Sequence, residues 1–71
     1  MKREFAKRLM ELRDGQGISY HQLGKKLGIG ASTICRWENG SADIKSDQLV
    51  QLAKYFKVST DYILGLSEAK D

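Results

Sequence analysis

The sequence has no long apolar run, and a membrane-spanning helix needs about 20 consecutive apolar residues, so no span is expected. Proline is absent altogether. The start, Met1-Lys2-Arg3-Glu4-Phe5, lacks the apolar segment of a secretory signal. Cys35 is the only cysteine, which excludes an internal disulfide and puts a cysteine zinc site out of reach. A reducing, cytoplasmic setting fits that single thiol. His21 is the only histidine and has no partner for a catalytic or metal role. There is no nucleophile–base pair, no metal cluster and no phosphate-cradling glycine loop, so neither an enzyme nor a cofactor is expected. Repeats and low-complexity segments are also missing.

What is present is short and helical. The chain has 71 residues, enough for one small domain. A domain of this size buries only about 60% of its unfolded surface, so nearly every apolar position must serve the core. The net charge is +3. Solubility alone accounts for so mild an excess, whereas DNA binding needs the charge gathered on one face.

Residues 2–14 read as a first helix, with Phe5, Leu9 and Leu12 at helical spacing. Lys7-Arg8 reads as a solvated charged face, with a phosphate-seeking patch as the sharper alternative. Asp14-Gly15-Gln16-Gly17 ends the helix. Ser19 is a good N-cap, and Gln22 three residues on completes a capping box. The second helix covers residues 20–27, with Leu23 and Leu27 inward. Gly28 is the turn, Ile29 points into the core and Gly30 is the next N-cap. Residues 31–39 form the third helix and bury Ile34 and Trp37. Asn39-Gly40 closes it. A loop anchored by Ile44 leads to Ser46, expected to cap a fourth helix over residues 47–56. Leu49, Leu52, Ala53 and Phe56 make its inner stripe. Lys57-Val58 turns the chain, Ser59 caps a short helix over residues 60–64, with Ile63 and Leu64 inward, and Gly65 stops it. The expected fold is all-α, a compact five-helix domain over residues 1–66 with a flexible tail at 67–71.

Several segments stand in register with a known pattern. They are Leu12-Arg13, Gly17-Ile18-Ser19, Gln22-Leu23, Leu27-Gly28-Ile29, Ser32-Thr33-Ile34, Arg36-Trp37-Glu38-Asn39-Gly40 and Val58-Ser59-Thr60-Asp61-Tyr62-Ile63-Leu64-Gly65. Together they resemble the lambda-repressor-like helix-turn-helix family of phage repressors, Cro proteins and related bacterial regulators. The resemblance runs from about residue 5 to residue 65. It implies a helix-turn-helix at helices two and three, with helix three in the DNA major groove. The sequence departs from the family at three places. Tyr20 stands where glutamine is frequent, Gly24 where alanine is usual, and Ala31 where a long polar residue is common.

On that resemblance, Ala31, Ser32, Cys35 and Arg36 are the base-contact candidates, on the face opposite Ile34 and Trp37. Arg36 has the chemistry to donate two parallel bonds to guanine O6 and N7. Ala31 offers only an apolar contact, and Ser32 either donates or accepts, so it specifies little. Cys35 reads more simply as an inert filler on the same face. Arg13, Tyr20, Thr33, Asn39, Ser41 and Lys45 are the phosphate-contact candidates, with the Gly40 and Ser41 amides beside Asn39. A half-buried ring is the plainer role for Tyr20, and a helix cap the plainer role for Thr33. Asp43 would repel DNA. The family also implies an ion pair between Arg13 and Glu38. Gly24 marks either a close approach of helices two and three or a neutral substitution. The expected function is a sequence-specific, double-stranded DNA-binding regulator, a repressor or Cro-like protein. It would act as a homodimer on a palindromic operator, with half-sites about 34 Å apart. Tyr62, Leu66 and the tail are candidate dimer contacts. The competing reading is a protein-interaction module on the same fold, motivated by Ala31 and Asp43.

Overall fold

The computed structural model describes residues 2–70. Among the described residues there are five helices: α1 (Lys2–Gln16), α2 (Tyr20–Leu27), α3 (Ala31–Glu38), α4 (Ser46–Phe56) and α5 (Thr60–Leu64). No described residue is in a strand, and no described helix is long and apolar enough to cross a membrane.

The caps explain most of these boundaries. Ser19 accepts from the Gln22 amide at 3.1 Å, and Gln22 Oε1 accepts from the Ser19 amide at 2.8 Å, so the expected capping box closes. Ser59 accepts from the Tyr62 amide, and Gly65 ends α5 in the left-handed region at φ 79°. Three boundaries differ from the sequence expectation. The first helix runs on through Gly15 to Gln16, because the left-handed position that stops it falls at Gly17 (φ 66°). There the Ile18 amide reaches back to the Arg13 carbonyl at 3.4 Å. Asn39 lies just outside α3 as its C-terminal cap, and the Ser41 amide closes the end on the Arg36 carbonyl at 2.9 Å. Ser46 is the first residue of α4 rather than its cap. Extended Lys45 takes the cap position, and Gln48 Oε1 accepts its amide at 3.2 Å.

The core draws on every helix. Phe5 and Leu9 of α1 meet Leu23 and Leu27 of α2, Ile34 and Trp37 of α3, Leu52, Ala53 and Phe56 of α4, and Ile63 of α5. Ile29 and Leu49 pack against this cluster while partly exposed. Leu64, expected to point inward, is half-exposed instead. The ring of Phe5 stands edge-on to Trp37, with centroids 6.3 Å apart. The first helix therefore lies along both α3 and α5 and serves as the beam of the fold.

Two residues behave unlike the plain sequence reading. Arg8 is not on a solvated face: it is buried, its guanidinium lies 4.2 Å over the Tyr62 ring, and it pairs with Glu68 at 3.1 Å. Gly24 is a close approach, but the neighbour is the turn itself rather than the body of α3. A Cβ there would sit 2.3 Å from the Ile29 carbonyl oxygen.

Candidate nucleic-acid interface

Ile34, Trp37 and Glu38 are buried and fix one side of α3. Ser32 and Arg36, one turn apart, stand opposite them. Ala31 and Cys35, expected on the same outward face, flank the buried side because they follow Ile34 and Glu38 around the helix. Ser32 and Arg36 are exposed, and Ala31 and Cys35 are half-buried. Arg36 Nε donates to the Ser32 carbonyl at 3.4 Å. That bond is long, and a better-placed acceptor would displace it.

What orients α3 is a cluster around Arg13. Arg13 Nε donates to Glu38 Oε2 at 2.6 Å and Nη2 to Oε1 at 3.1 Å, a two-point pairing. Its Nη1 donates to the Ile18 carbonyl at 2.7 Å. The guanidinium also lies 4.5 Å over the Tyr20 ring. One side chain thus ties the end of α1, the entry to α2 and the end of α3 together. The hydrogen bond to Glu38 raises the Arg13 pKa above its ordinary value, so the cation persists at every physiological pH. With these bonds made, Arg13 acts on the interface mainly by positioning.

Tyr20 belongs to the same cluster. Its hydroxyl pKa is raised, first by the negative charge of Glu38, then by burial, and it lies near the Cys35 thiol. The phenol keeps its proton at neutral pH and remains a donor. The turn after α3 is also ordered from within. Asn39 Oδ1 accepts from both the Ser41 amide, at 3.0 Å, and the Ser41 hydroxyl. The Gly40 amide bonds the Trp37 carbonyl at 3.3 Å. The amides of residues 40 and 41 are therefore engaged inside the turn. Asn39 Oδ1 is thereby engaged within the turn, and Asn39 itself is exposed. Thr33 is half-buried, with its amide on the Gly30 carbonyl at 3.0 Å. Lys45 sits apart, exposed at the start of α4.

Sequence reasoning missed Gln51. Its side-chain amide donates to the Leu27 carbonyl at 2.6 Å and so caps the end of α2 from α4. No spacing rule flags a glutamine beside an apolar stripe for this role.

Comparison with known proteins agrees with the geometry. A helix-turn-helix family profile matches residues 9–63. An "Uncharacterized HTH-type transcriptional regulator YobD" of Bacillus subtilis is 39% identical over 67 residues, covering 94% of this chain and 60% of that protein. The "HTH-type transcriptional regulator ImmR" of the same organism is 37% identical over 62 residues, covering 87% of this chain and 49% of that protein. The "HTH-type transcriptional activator BcrR" of Enterococcus faecalis is 31% identical over 65 residues, covering 92% of this chain and 32% of that protein. The chain therefore spans between a third and three fifths of the length of these relatives. No solved structure gives a significant match.

Proposed function

The chain belongs to the helix-turn-helix family, and on that premise we propose that it is a sequence-specific, double-stranded DNA-binding transcriptional regulator. One observation carries the reading: α3 is clamped on its inner side while Ser32 and Arg36 stand exposed on the other. That is the arrangement a recognition helix needs in a major groove. Arg36 is the principal base reader, with Ser32, Ala31 and Cys35 completing the contact face. Tyr20, Asn39, Thr33 and Lys45 supply phosphate contacts, and Arg13 and Ser41 hold two of them in place. Phosphate contacts set the register, and the base edges give the preference.

So few long polar side chains at the groove favour a homodimer on a palindromic site. Among the described residues the exposed large apolar side chains are Met10 (41%), Val50 (45%) and Leu66 (60%), and Val50 and Leu66 are the two we assign to its interface. Residues 1–66 form the reading domain in this proposal, and the free thiol of Cys35 suits a cytoplasmic setting. Repression is the direction we favour, since occupancy of a promoter suffices for it. The Enterococcus relative is named as an activator, so a reporter with the bound site across a promoter decides by the sign of the change.

The test is selection of bound duplexes from a random pool, followed by a salt titration on the selected and a scrambled site. A palindromic consensus and a linear fall of log affinity with log salt are expected. No binding at low salt would sink the reading. Arg36→Ala is expected to lose about 1–3 kcal/mol of discrimination at one base pair per half-site, with the other positions unchanged. A uniform loss across sequences assigns Arg36 to a phosphate instead.

A further inference from the structure

An open groove of about 440 Å³ lies between α1 and the end of α3. Arg3, Ala6, Lys7 and Met10 form one wall, and Glu38, Asn39 and Gly40 form the other. Arg3, Lys7 and Met10 fall at i, i+4 and i+7, so they share one face of α1. Arg3 and Lys7 are exposed, and Met10 is 41% exposed. The acid in the opposite wall is already matched, because Glu38 is paired with Arg13 and its side chain is 2% exposed. The open mouth of the groove thus carries two cations from α1 beside exposed Asn39.

This groove is not part of the helix-turn-helix proper, yet it is continuous with it through the Asn39-Gly40-Ser41 turn. The Arg13–Glu38 pairing and the Phe5–Trp37 contact hold the two walls together. The position of Lys7 relative to Asn39 is therefore set by the same contacts that set α3. We propose that the groove takes the DNA backbone flanking the half-site, with Lys7 and Arg3 binding phosphate in line with Asn39 and the Met10–Ala6 floor lying against deoxyribose. The recognition surface then extends onto α1. Lys7 and Arg3 then add to the cationic charge of Lys25, Lys26 and Arg36 on α2 and α3. This inference rests on the DNA-binding reading above.

Salt titration of the purified chain on its selected duplex tests it. Lys7→Ala is expected to flatten the plot of log affinity against log salt by about 0.9, the value for one phosphate contact, and to weaken binding roughly fivefold to tenfold at 0.1 M salt. Base preference is expected to stay the same, and Lys7→Arg to restore the slope. Ethylation interference at one phosphate outside the contacted bases should vanish in Lys7→Ala. Lys54→Ala, which removes an equal charge from the exposed last turn of α4, should leave the slope near that of the parent. If Lys7→Ala only lowers the melting temperature and keeps the slope, Lys7 serves the end of α3 and the inference is overturned. Equal slope changes in Lys7→Ala and Lys54→Ala overturn it too, since net charge would then explain both. If the parent chain itself fails to bind, the DNA-binding reading falls first, and this inference with it.

Discussion

Arg8 and Arg13 both lie on α1, each stacks on a tyrosine and each pairs with a glutamate. Arg8 covers Tyr62 at 4.2 Å and reaches Glu68, while Arg13 covers Tyr20 at 4.5 Å and reaches Glu38. The partners differ in depth. The Glu38 side chain is 2% exposed and the Glu68 side chain 94%. Like residues in like arrangements therefore have unlike consequences. An exposed carboxylate is well solvated with or without its arginine, so that pair adds little. A buried carboxylate without its cation keeps its full desolvation cost. The clasp on the helix-turn-helix is thus structurally obligatory, and the clasp on the residues after α5 is not.

Breaking the two clasps in parallel gives the largest expected effect. Arg13→Met should destabilise the chain by about 3 kcal/mol in urea unfolding, since it strands a buried charge. Adding Glu38→Leu should recover much of that loss, because a well-packed apolar pair replaces a buried ion pair at little cost. Glu68→Gln should leave the transition midpoint unchanged within error. Equal losses from Arg13→Met and Glu68→Gln would mean that burial is not what separates the two.

A second pair of regions is alike in backbone and unlike in sequence. The α2–α3 turn passes through Gly28 at φ 69°, and the α4–α5 turn through Lys57 at φ 58°. In each, the next amide reaches back into the preceding helix: Ile29 to the Gly24 carbonyl at 2.9 Å, and Val58 to the Ala53 carbonyl at 3.0 Å. Leu23 and Ile34 flank the first turn, and Leu52 and Ile63 flank the second, all 0% exposed. Only the first turn uses the residue suited to the left-handed conformation. Lys57→Gly should therefore stabilise the chain by up to about 1 kcal/mol, and Gly28→Lys should cost about 1–2 kcal/mol. Thermal melts of both variants read the two signs. Failure of Lys57→Gly to stabilise would show that the lysine recovers the strain through contacts of its own.

The legibility of the fold follows the same divide. The segment from Ser19 to Leu27 was readable to the residue, because a serine, a glutamine and a glycine each have a local reason to stand where they do. The overrun of α1 was not readable, since Gly15 and Gly17 are both able to end a helix and only packing selects between them. Residues at long range were hidden for a related reason. Nothing near Arg8 in sequence announces Tyr62 and Glu68, and nothing near Gln51 announces Leu27. The candidate interface was readable as a face of α3 and as the Arg13–Glu38 pair, both through the family pattern. On α1 the sequence offered Lys7 to phosphate only as an alternative to a solvated face, and that Lys7 and Asn39 line one groove depends on the folded arrangement of α1 and α3. The sequence also offered the amides of residues 40 and 41 to phosphate, whereas the turn uses them itself.

The smallest effect comes from the start of the two following helices. Ser59 caps α5 with its side chain, while Gly30 starts α3 without one. The Gly30 backbone, at φ −65° and ψ 141°, already has the extended shape of an N-cap. A Cβ there would lie 3.9 Å from Thr33 Oγ1 and 4.0 Å from Ser32 Oγ, which is ordinary contact. A serine hydroxyl at this position would share the Thr33 amide with the Gly30 carbonyl, which accepts it at 3.0 Å, whereas Ser59 accepts from the Tyr62 amide. Gly30→Ser should then stabilise by a few tenths of a kcal/mol, roughly the difference between these residues as caps. The same variant sharpens the functional comparison. The start of α3 faces the DNA in the proposed complex, where a bare cap leaves room for a phosphate beside the Ala31 and Ser32 amides, the Thr33 amide being held by the Gly30 carbonyl at 3.0 Å. If Gly30→Ser stabilises the free chain and weakens binding to the selected duplex, the missing cap belongs to recognition. If it stabilises the chain and leaves binding unchanged, the two turns differ in stability alone.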